Sequence, residues 1–360
     1  MPVTLRSYSK INLGLLIGPT RPDGFHALTT LYQTLNAHDL VTVSIAPKHG
    51  QPHIEISCND RRVPLDARNT VWKMLALALA VPGREGLRVR VHLEKHLPVQ
   101  GGLGGGSGNA VAALLGLERE LVRQGVAGPL LGSLPKVFTG VLTGPAQLRL
   151  AAEVGSDVPL FLLGGSVLGL GRGEQVVPLA DLPEMEAVLA LPEVGVSTPA
   201  AFRAWDLEQT SIGLTPGEMA DRLNELSRAL ASAWVEQHAT GVLASGSVPR
   251  NTSSDQGLAG GPLLSTLVQT GILPNDFEQV VFRQHPLFEQ IKRALAGQSS
   301  GNPAVYAALS GSGSAVFGLY RDEAGALAAE ERLNGLGIRN LRTRTIRRAA
   351  YWADMVVDER

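Results

Sequence analysis

Hydrophobic and polar positions alternate with a period of two in three places along the chain. Lys10, Asn12 and Gly14 interleave with Ile11, Leu13 and Leu15, which predicts a strand with one polar face. Val41, Val43 and Ile45 alternate with Thr42 and Ser44, and Leu87, Val89, Val91 and Leu93 alternate with Arg88, Arg90 and His92, predicting two more. Pro22-Asp23-Gly24 reads as a turn after the first strand. The period then lengthens. VWKMLALALAV over 71–81 predicts a buried helix, and Val111, Leu114, Leu115, Leu121 and Val122 share one helical face that Gly125 would stop.

Residues 151–178, whose apolar runs are broken by glycine, read as packed strands and tight turns. MEAVLALPEVGVSTPAAF reads as a strand and a turn leading into a helix. Helices are expected over 218–235, 277–296 and 323–334, a tight turn feeding a strand over 308–320, and a final strand near 341–348. Strands and helices with antiparallel-compatible turns suggest an α+β fold.

The length of 360 residues suggests two domains. With 44% hydrophobic and 18% charged residues the chain is expected to fold without metal or disulfide staples. Its single cysteine, Cys58, excludes an internal disulfide framework and a Cys-based zinc site. A net charge of −1 argues against nucleic acid as the main partner. The N-terminus lacks a signal-peptide pattern and no run reads as a membrane span, so a soluble cytoplasmic protein is expected.

The 41 glycines change the picture, because fourteen fall in three stretches: six in 101–108, five in 164–173 and three in 311–318. GGLGGGSG, from Gly101 to Gly108, lies between a predicted strand and a predicted helix. The first amides of a helix have no internal partner, the helix dipole favours an anion there, and glycine lets the backbone approach it closely. Such a loop can cradle a phosphate, or it can be tight for packing alone. Ser107 and Asn109 at the helix start can cap it, or give a hydroxyl to a phosphate or its magnesium ion. No lysine follows a glycine, so this is not a P-loop, and the dinucleotide G-x-G-x-x-G spacing is absent.

PVQGGLGGGSGNAVAALL resembles the ATP-phosphate motif of the GHMP kinase superfamily. SKINLGLLIGPTRPDGFHAL and GSDVPLFLLGGSVLGLGRGE resemble the N-terminal and catalytic segments of its 4-diphosphocytidyl-2-C-methyl-D-erythritol kinase family, an ATP-dependent step of non-mevalonate isoprenoid synthesis. ALSGSGSAVFGLY resembles the third superfamily motif, and PNDFE (274–278) a short family signature. These matches run in family order from residue 7 to about 320.

The resemblance implies a two-domain GHMP kinase fold. Residues 1–178 would form the ATP-binding N-terminal domain, ribosomal-protein-S5-domain-2-like, and 179–360 a ferredoxin-like C-terminal domain, with the active site in the cleft between them. The last strand would return to the N-terminal domain, and 240–270 would be an insertion. Asp157 would be the catalytic base, with Lys10 holding it ionised and offsetting charge on the attacking oxygen. Asn69, Lys95, Gly101, Gly102, Leu103, Gly104, Gly105, Gly106 and Ser107 would bind ATP, with Mg²⁺ reaching Ser107 through the phosphates. Asn69, beside Thr70, is equally a helix cap. Asn12, Phe25, His26, Thr198, Phe202, Gly311, Ser312 and Gly313 would bind the substrate, cytidine diphosphate-linked methylerythritol. Within that set His26 would bond the cytosine, Phe25 would stack on it, and Thr198 and Phe202 would form the second wall. Gly108 stands where relatives often carry serine, which implies one hydroxyl fewer near the phosphates. The product would be the 2-phosphate, and the enzyme a monomer or homodimer. Another GHMP small-molecule kinase, of homoserine or mevalonate type, and a catalytically silent nucleotide-binding relative stay open as alternatives.

Overall fold

In the computed structural model, residues 2–80, 84, 86–125, 144–237, 274–298 and 301–357 are described. The expected insertion at 240–270 lies outside the described residues. Two long strands, β1 (Val3–Thr20) and β2 (His26–Pro47), form an antiparallel hairpin closed by the turn at 22–24. β1 lies along one edge of β2. The other edge is shared end to end by β4 (Leu87–Glu94) and β5 (Ser166–Leu170). β3 (His53–Cys58) pairs parallel with β4, and β6 (Gln175–Pro178) antiparallel with β5, completing a six-stranded sheet. α1 (Thr70–Leu79) packs on α2 (Gly105–Arg123), and α2 lies against β1 and β2.

The second sheet has the order β10-β7-β9-β8, from β7 (Glu186–Ala190), β8 (Tyr306–Leu309), β9 (Val316–Tyr320) and β10 (Asn340–Arg344). It is accompanied by α4 (Thr198–Ile212), α5 (Pro216–Gln237), α6 (Asp276–Gln284), α7 (Leu287–Ala296) and α8 (Glu323–Gly335). One buried apolar cluster fills the first sheet's layer, and another lies with the second sheet and takes in Leu15 and Ile17 of β1. A third, including Ile11, Leu13, Leu31, Leu35, Leu189 and Phe317, joins β1 and β2 to the second sheet. Ile11 and Leu13 thus point into the joint, and Lys10 and Asn12 point the other way.

Four expectations need correcting. Residues 144–154 form α3 (Gly144–Val154) and Pro159–Leu162 a 3-10 turn, so the strands of the 151–178 stretch begin only at Ser166. The helix expected over 277–296 is broken at His285-Pro286, because proline cannot donate to the preceding turn. The last strand returns to the first sheet only at its end: β10 pairs with β7, and just beyond it Thr345 bridges Leu35 of β2 and Ile346 N donates to the Thr34 carbonyl at 3.0 Å. The segment after it returns as well, with α9 (Arg348–Ala353) bonded through Tyr351 Oη to the Phe161 carbonyl (2.6 Å) and Leu5 bridged to Val356. Finally, α2 is capped by Gly104 with no side-chain hydrogen bond, so neither Ser107 nor Asn109 caps it, and Asn109 is buried.

Candidate active site

The hairpin register sets Lys10 opposite Thr34 and Asn12 opposite Tyr32. Lys10 is almost fully buried, yet both its contacts are polar: Nζ lies 3.1 Å from Asp157 Oδ2 and donates to Asn12 Oδ1 at 2.6 Å. Asn12 Nδ2 in turn donates to Thr30 Oγ1 at 2.8 Å, which bonds the Gly14 carbonyl at 2.7 Å. A buried ammonium needs such pairing. Asp157 lies in the turn ahead of the 3-10 segment and is part exposed, its carboxylate reaching the cleft. Tyr32 Oη donates to Asp157 Oδ1 at 2.9 Å. Burial and the neighbouring Asp157 carboxylate push the Tyr32 phenol well above its ordinary range. Nothing in the motifs marked Tyr32.

A cavity of about 1060 Å³ opens over this cluster. It brings together Lys10, Asn12, Phe25, His26, Asp157, Thr198, Phe202, Gly311, Ser312 and Gly313. His26 Nε2 meets Asp206 Oδ1 at 2.7 Å, and its ring stacks on Phe202 (centroids 5.0 Å, planes 10° apart). His26 and Phe202 therefore cover each other. Phe25 is half exposed, with the Arg172 guanidinium 4.7 Å from its ring centroid. Thr198 Oγ1 and Ser312 Oγ bond across the cavity wall at 2.7 Å. Asp206 and Arg172 were not singled out by the sequence.

A second cavity, of about 440 Å³, is lined by Asn69, Lys95 and Gly101 to Ser107. The two cavities share Gln100 and Gly102. Gln100 has φ +64°, a left-handed backbone that is rare for a residue with a side chain. Gly104 has φ +71°, and a Cβ there would stand 2.8 Å from Phe161 and 2.9 Å from Lys10 Cγ, so the loop rests directly on the lysine stem. No side chain bonds the first amides of α2, and Gly105, Gly106 and Ser107 of its first turn line this space. Ser107 lines it, and among the described residues its hydroxyl has no partner.

The remaining assignments divide. Asn69 caps α1, accepting from Val71 N at 2.9 Å and donating to the Pro64 carbonyl at 2.6 Å, so both ends of its amide are engaged. Lys95 is paired with Asp39, a fully buried carboxylate that also accepts from the amides of His96 and Leu97, each at 2.8 Å. Gly108 does not line either cavity: a Cβ there would meet Ser7 Oγ and the Tyr8 carbonyl, each at 2.8 Å. A serine at this position would face β1, so the expectation of a missing hydroxyl beside the phosphates is overturned by the side of α2 on which residue 108 falls.

The third glycine loop is bound to the first. Ser310 Oγ donates to the Gly102 carbonyl at 3.1 Å, and Ala315 N to the Gly101 carbonyl at 3.1 Å. PNDFE anchors that assembly. Asn275 Nδ2 donates to the carbonyls of Leu309 and Gly311, both at 2.8 Å, and Asp276 Oδ2 accepts from Ile17 N at 2.8 Å.

Residues 69–165 match the family of GHMP kinases N terminal domains, and residues 264–339 that of GHMP kinases C terminal. A 4-diphosphocytidyl-2-C-methyl-D-erythritol kinase of Solibacter usitatus is 34% identical over 331 residues, 91% of this chain and 84% of that protein. One of Moorella thermoacetica is 33% identical over 345 residues, 96% of this chain and 99% of that protein. A crystal structure of 4-(cytidine 5'-diphospho)-2C-methyl-D-erythritol kinase is similar with a TM-score of 0.60 and 25% identity, covering 95% of this chain and 98% of that one. A homoserine kinase from Cytophaga hutchinsonii reaches 0.63 at 18% identity, covering 96% and 94%, a likeness of fold alone.

Proposed function

The chain belongs to the 4-diphosphocytidyl-2-C-methyl-D-erythritol kinase family of GHMP kinases, and we propose that its cleft phosphorylates the C2 hydroxyl of that compound through Lys10 and Asp157. The protein is an alcohol phosphotransferase with the two-domain GHMP kinase fold, and the family uses ATP as donor. The observation that supports these roles best is the Lys10–Asp157 pair, 3.1 Å apart, set between the glycine loop and the larger cavity.

Phosphoryl transfer asks the protein chiefly for alignment and charge. Asp157 takes the proton of the acceptor hydroxyl, and the Lys10 ammonium offsets negative charge gathering on that oxygen. ATP supplies the phosphoryl group. The free amides at the start of α2 suit its phosphates, and the glycines leave room for them to approach. Among the described residues no group of three His, Cys, Asp or Glu side chains could hold a metal ion. Mg²⁺ would be carried on the ATP phosphates, with the Ser107 hydroxyl beside it. In the larger cavity, Asp206 accepts the Nε2 proton of His26. Nδ1 is then the ring nitrogen left to meet the edge of cytosine. Phe25, Thr198 and Ser312 complete the cytidine side. We place the domain division at residue 178, because β6 ends there and β7 belongs to the other sheet.

The test is ADP release with ATP and Mg²⁺ across a panel of alcohols. The cytidyl compound should support turnover, and homoserine and mevalonate should not. ADP from either of those, with none from the cytidyl compound, overturns the substrate. Asp157→Asn should lower kcat by on the order of 10²–10⁴-fold, what a positioned base is worth, with KM little changed.

A further inference from the structure

Behind the Lys10–Asp157 pair stands a phenol that neither motif contains. Tyr32 is buried on β2, opposite Asn12, and its hydroxyl is spent on a single partner, Asp157 Oδ1 at 2.9 Å. Lys10 holds the other carboxylate oxygen at 3.1 Å and also lies 5.6 Å from the centre of the Tyr32 ring. The carboxylate is thus gripped at both oxygens from two neighbouring strands.

The slot for the phenol is made by two glycines of the 164–173 stretch. A Cβ on Gly169 would stand 2.5 Å from Tyr32 Cε2, and one on Gly173 would stand 2.6 Å from its Oη. Neither distance is possible for a real side chain, so only glycine at both positions leaves the ring where its hydroxyl meets Asp157.

We propose that Tyr32 is a positioning residue, which fixes the Asp157 carboxylate by donating to Oδ1 while Lys10 holds Oδ2, so that the carboxylate stays aimed at the acceptor hydroxyl. The proposal rests on the reading of Asp157 as the base. The phenol keeps its proton throughout the range in which an enzyme is assayed, because burial and the adjacent carboxylate raise its titration. It is therefore a constant donor. The charged groups around the pair are Lys10 on β1 and, near the phenol, Glu174 and Arg172 in the turn between β5 and β6.

Tyr32→Phe keeps the ring in its slot and removes only the hydroxyl. It should lower kcat roughly ten- to a hundredfold, the worth of a hydrogen bond to a charged group. KM for ATP and for the cytidyl compound should stay within about twofold, as expected when only positioning of a reacting group is lost. The acid limb of the kcat–pH profile should move to higher pH, since a carboxylate that loses a donor holds its proton more tightly. Combined with Asp157→Asn, Tyr32→Phe should cost little more, because the two act as one unit. Wild-type kcat with an unmoved acid limb in Tyr32→Phe, while Asp157→Asn is crippled, overturns the role of Tyr32. A rise confined to KM for the cytidyl compound also overturns it, by making Tyr32 a substrate contact. Normal turnover in Asp157→Asn would instead remove the base reading itself.

Discussion

An imidazole has two nitrogens and two faces, and His26 has already committed one of each. Nε2 is held by Asp206 at 2.7 Å and one face lies on Phe202. Trp205 also packs at right angles to the ring, centroids 5.7 Å apart, so what remains to read the edge of a flat base is one nitrogen. His26→Ala removes that edge and also unstacks Phe202. It should raise KM for the cytidyl compound about tenfold or more, or about 1.4 kcal/mol, and leave KM for ATP within about twofold. Steady-state kinetics with each substrate varied will decide, and equal rises in both constants would contradict the pocket assignment. Asp206 was not legible beforehand, because one acidic residue on the exposed turns of α4 looks like any other. Asp39 escaped notice for the opposite reason. It lies within a strand, and only the fold reveals that its carboxylate is buried against Lys95 and two amides. The Lys10–Asp157 pair was legible only through the motifs, since the partners stand far apart in the chain.

Between elements, the glycines give the clearest account of why some positions carry no side chain. α2 lies so close to the hairpin that Gly116 would place a Cβ 2.6 Å from Val43 Cγ2, and Gly108 would place one 2.8 Å from the Tyr8 carbonyl. Gly108→Ser therefore overfills the seam between α2 and β1 at a cost of about 1–3 kcal/mol. Its hydroxyl faces the strand, so KM for ATP should stay within about twofold while the melting midpoint falls by several degrees. A tighter KM for ATP in this variant would show the hydroxyl reaching the phosphates and sink the argument. The pattern of the chain gave the strand, loop and helix order around residue 104 directly, because the period changes there from two to nearly four. It misled over 151–178. That stretch holds short apolar runs, and such runs read alike as strand or helix until their partners are known. Gly164 shows what was missing: its place is set by the Tyr351 ring, which a Cβ would approach to 2.4 Å, and Tyr351 arrives from almost two hundred residues away.

Across the whole molecule, the cleft exists because the two sheets are held at a fixed approach, and Asn275 is one of the smallest parts on which that depends. One amide group does three things: Nδ2 donates to the carbonyls of Leu309 and Gly311, and Oδ1 accepts from Phe277 N at 3.0 Å to cap α6. The preceding Pro274 carbonyl accepts from Leu15 N at 3.0 Å, which ties the same corner to β1. The third glycine loop is therefore fastened to α6 on one side and, through Ser310, to Gly102 on the other. Asn275→Ala leaves two buried carbonyls without a donor and removes a cap, a loss of about 2 kcal/mol or more. The melting midpoint should fall by at least about 4 °C. The loop at 311–313 should also loosen, raising KM for the cytidyl compound, because Ser312 loses its fixed position against Thr198. Asn275→Asp separates the two effects. It keeps an oxygen to cap α6 but turns a charge on the two carbonyls, so it should harm KM at least as much as the alanine variant. Both variants need thermal melts and kinetics side by side. If both melt and turn over as the wild type does, the corner is not what holds the loop, and the approach of the two sheets must be set by the apolar joint around Ile11 and Phe317 alone.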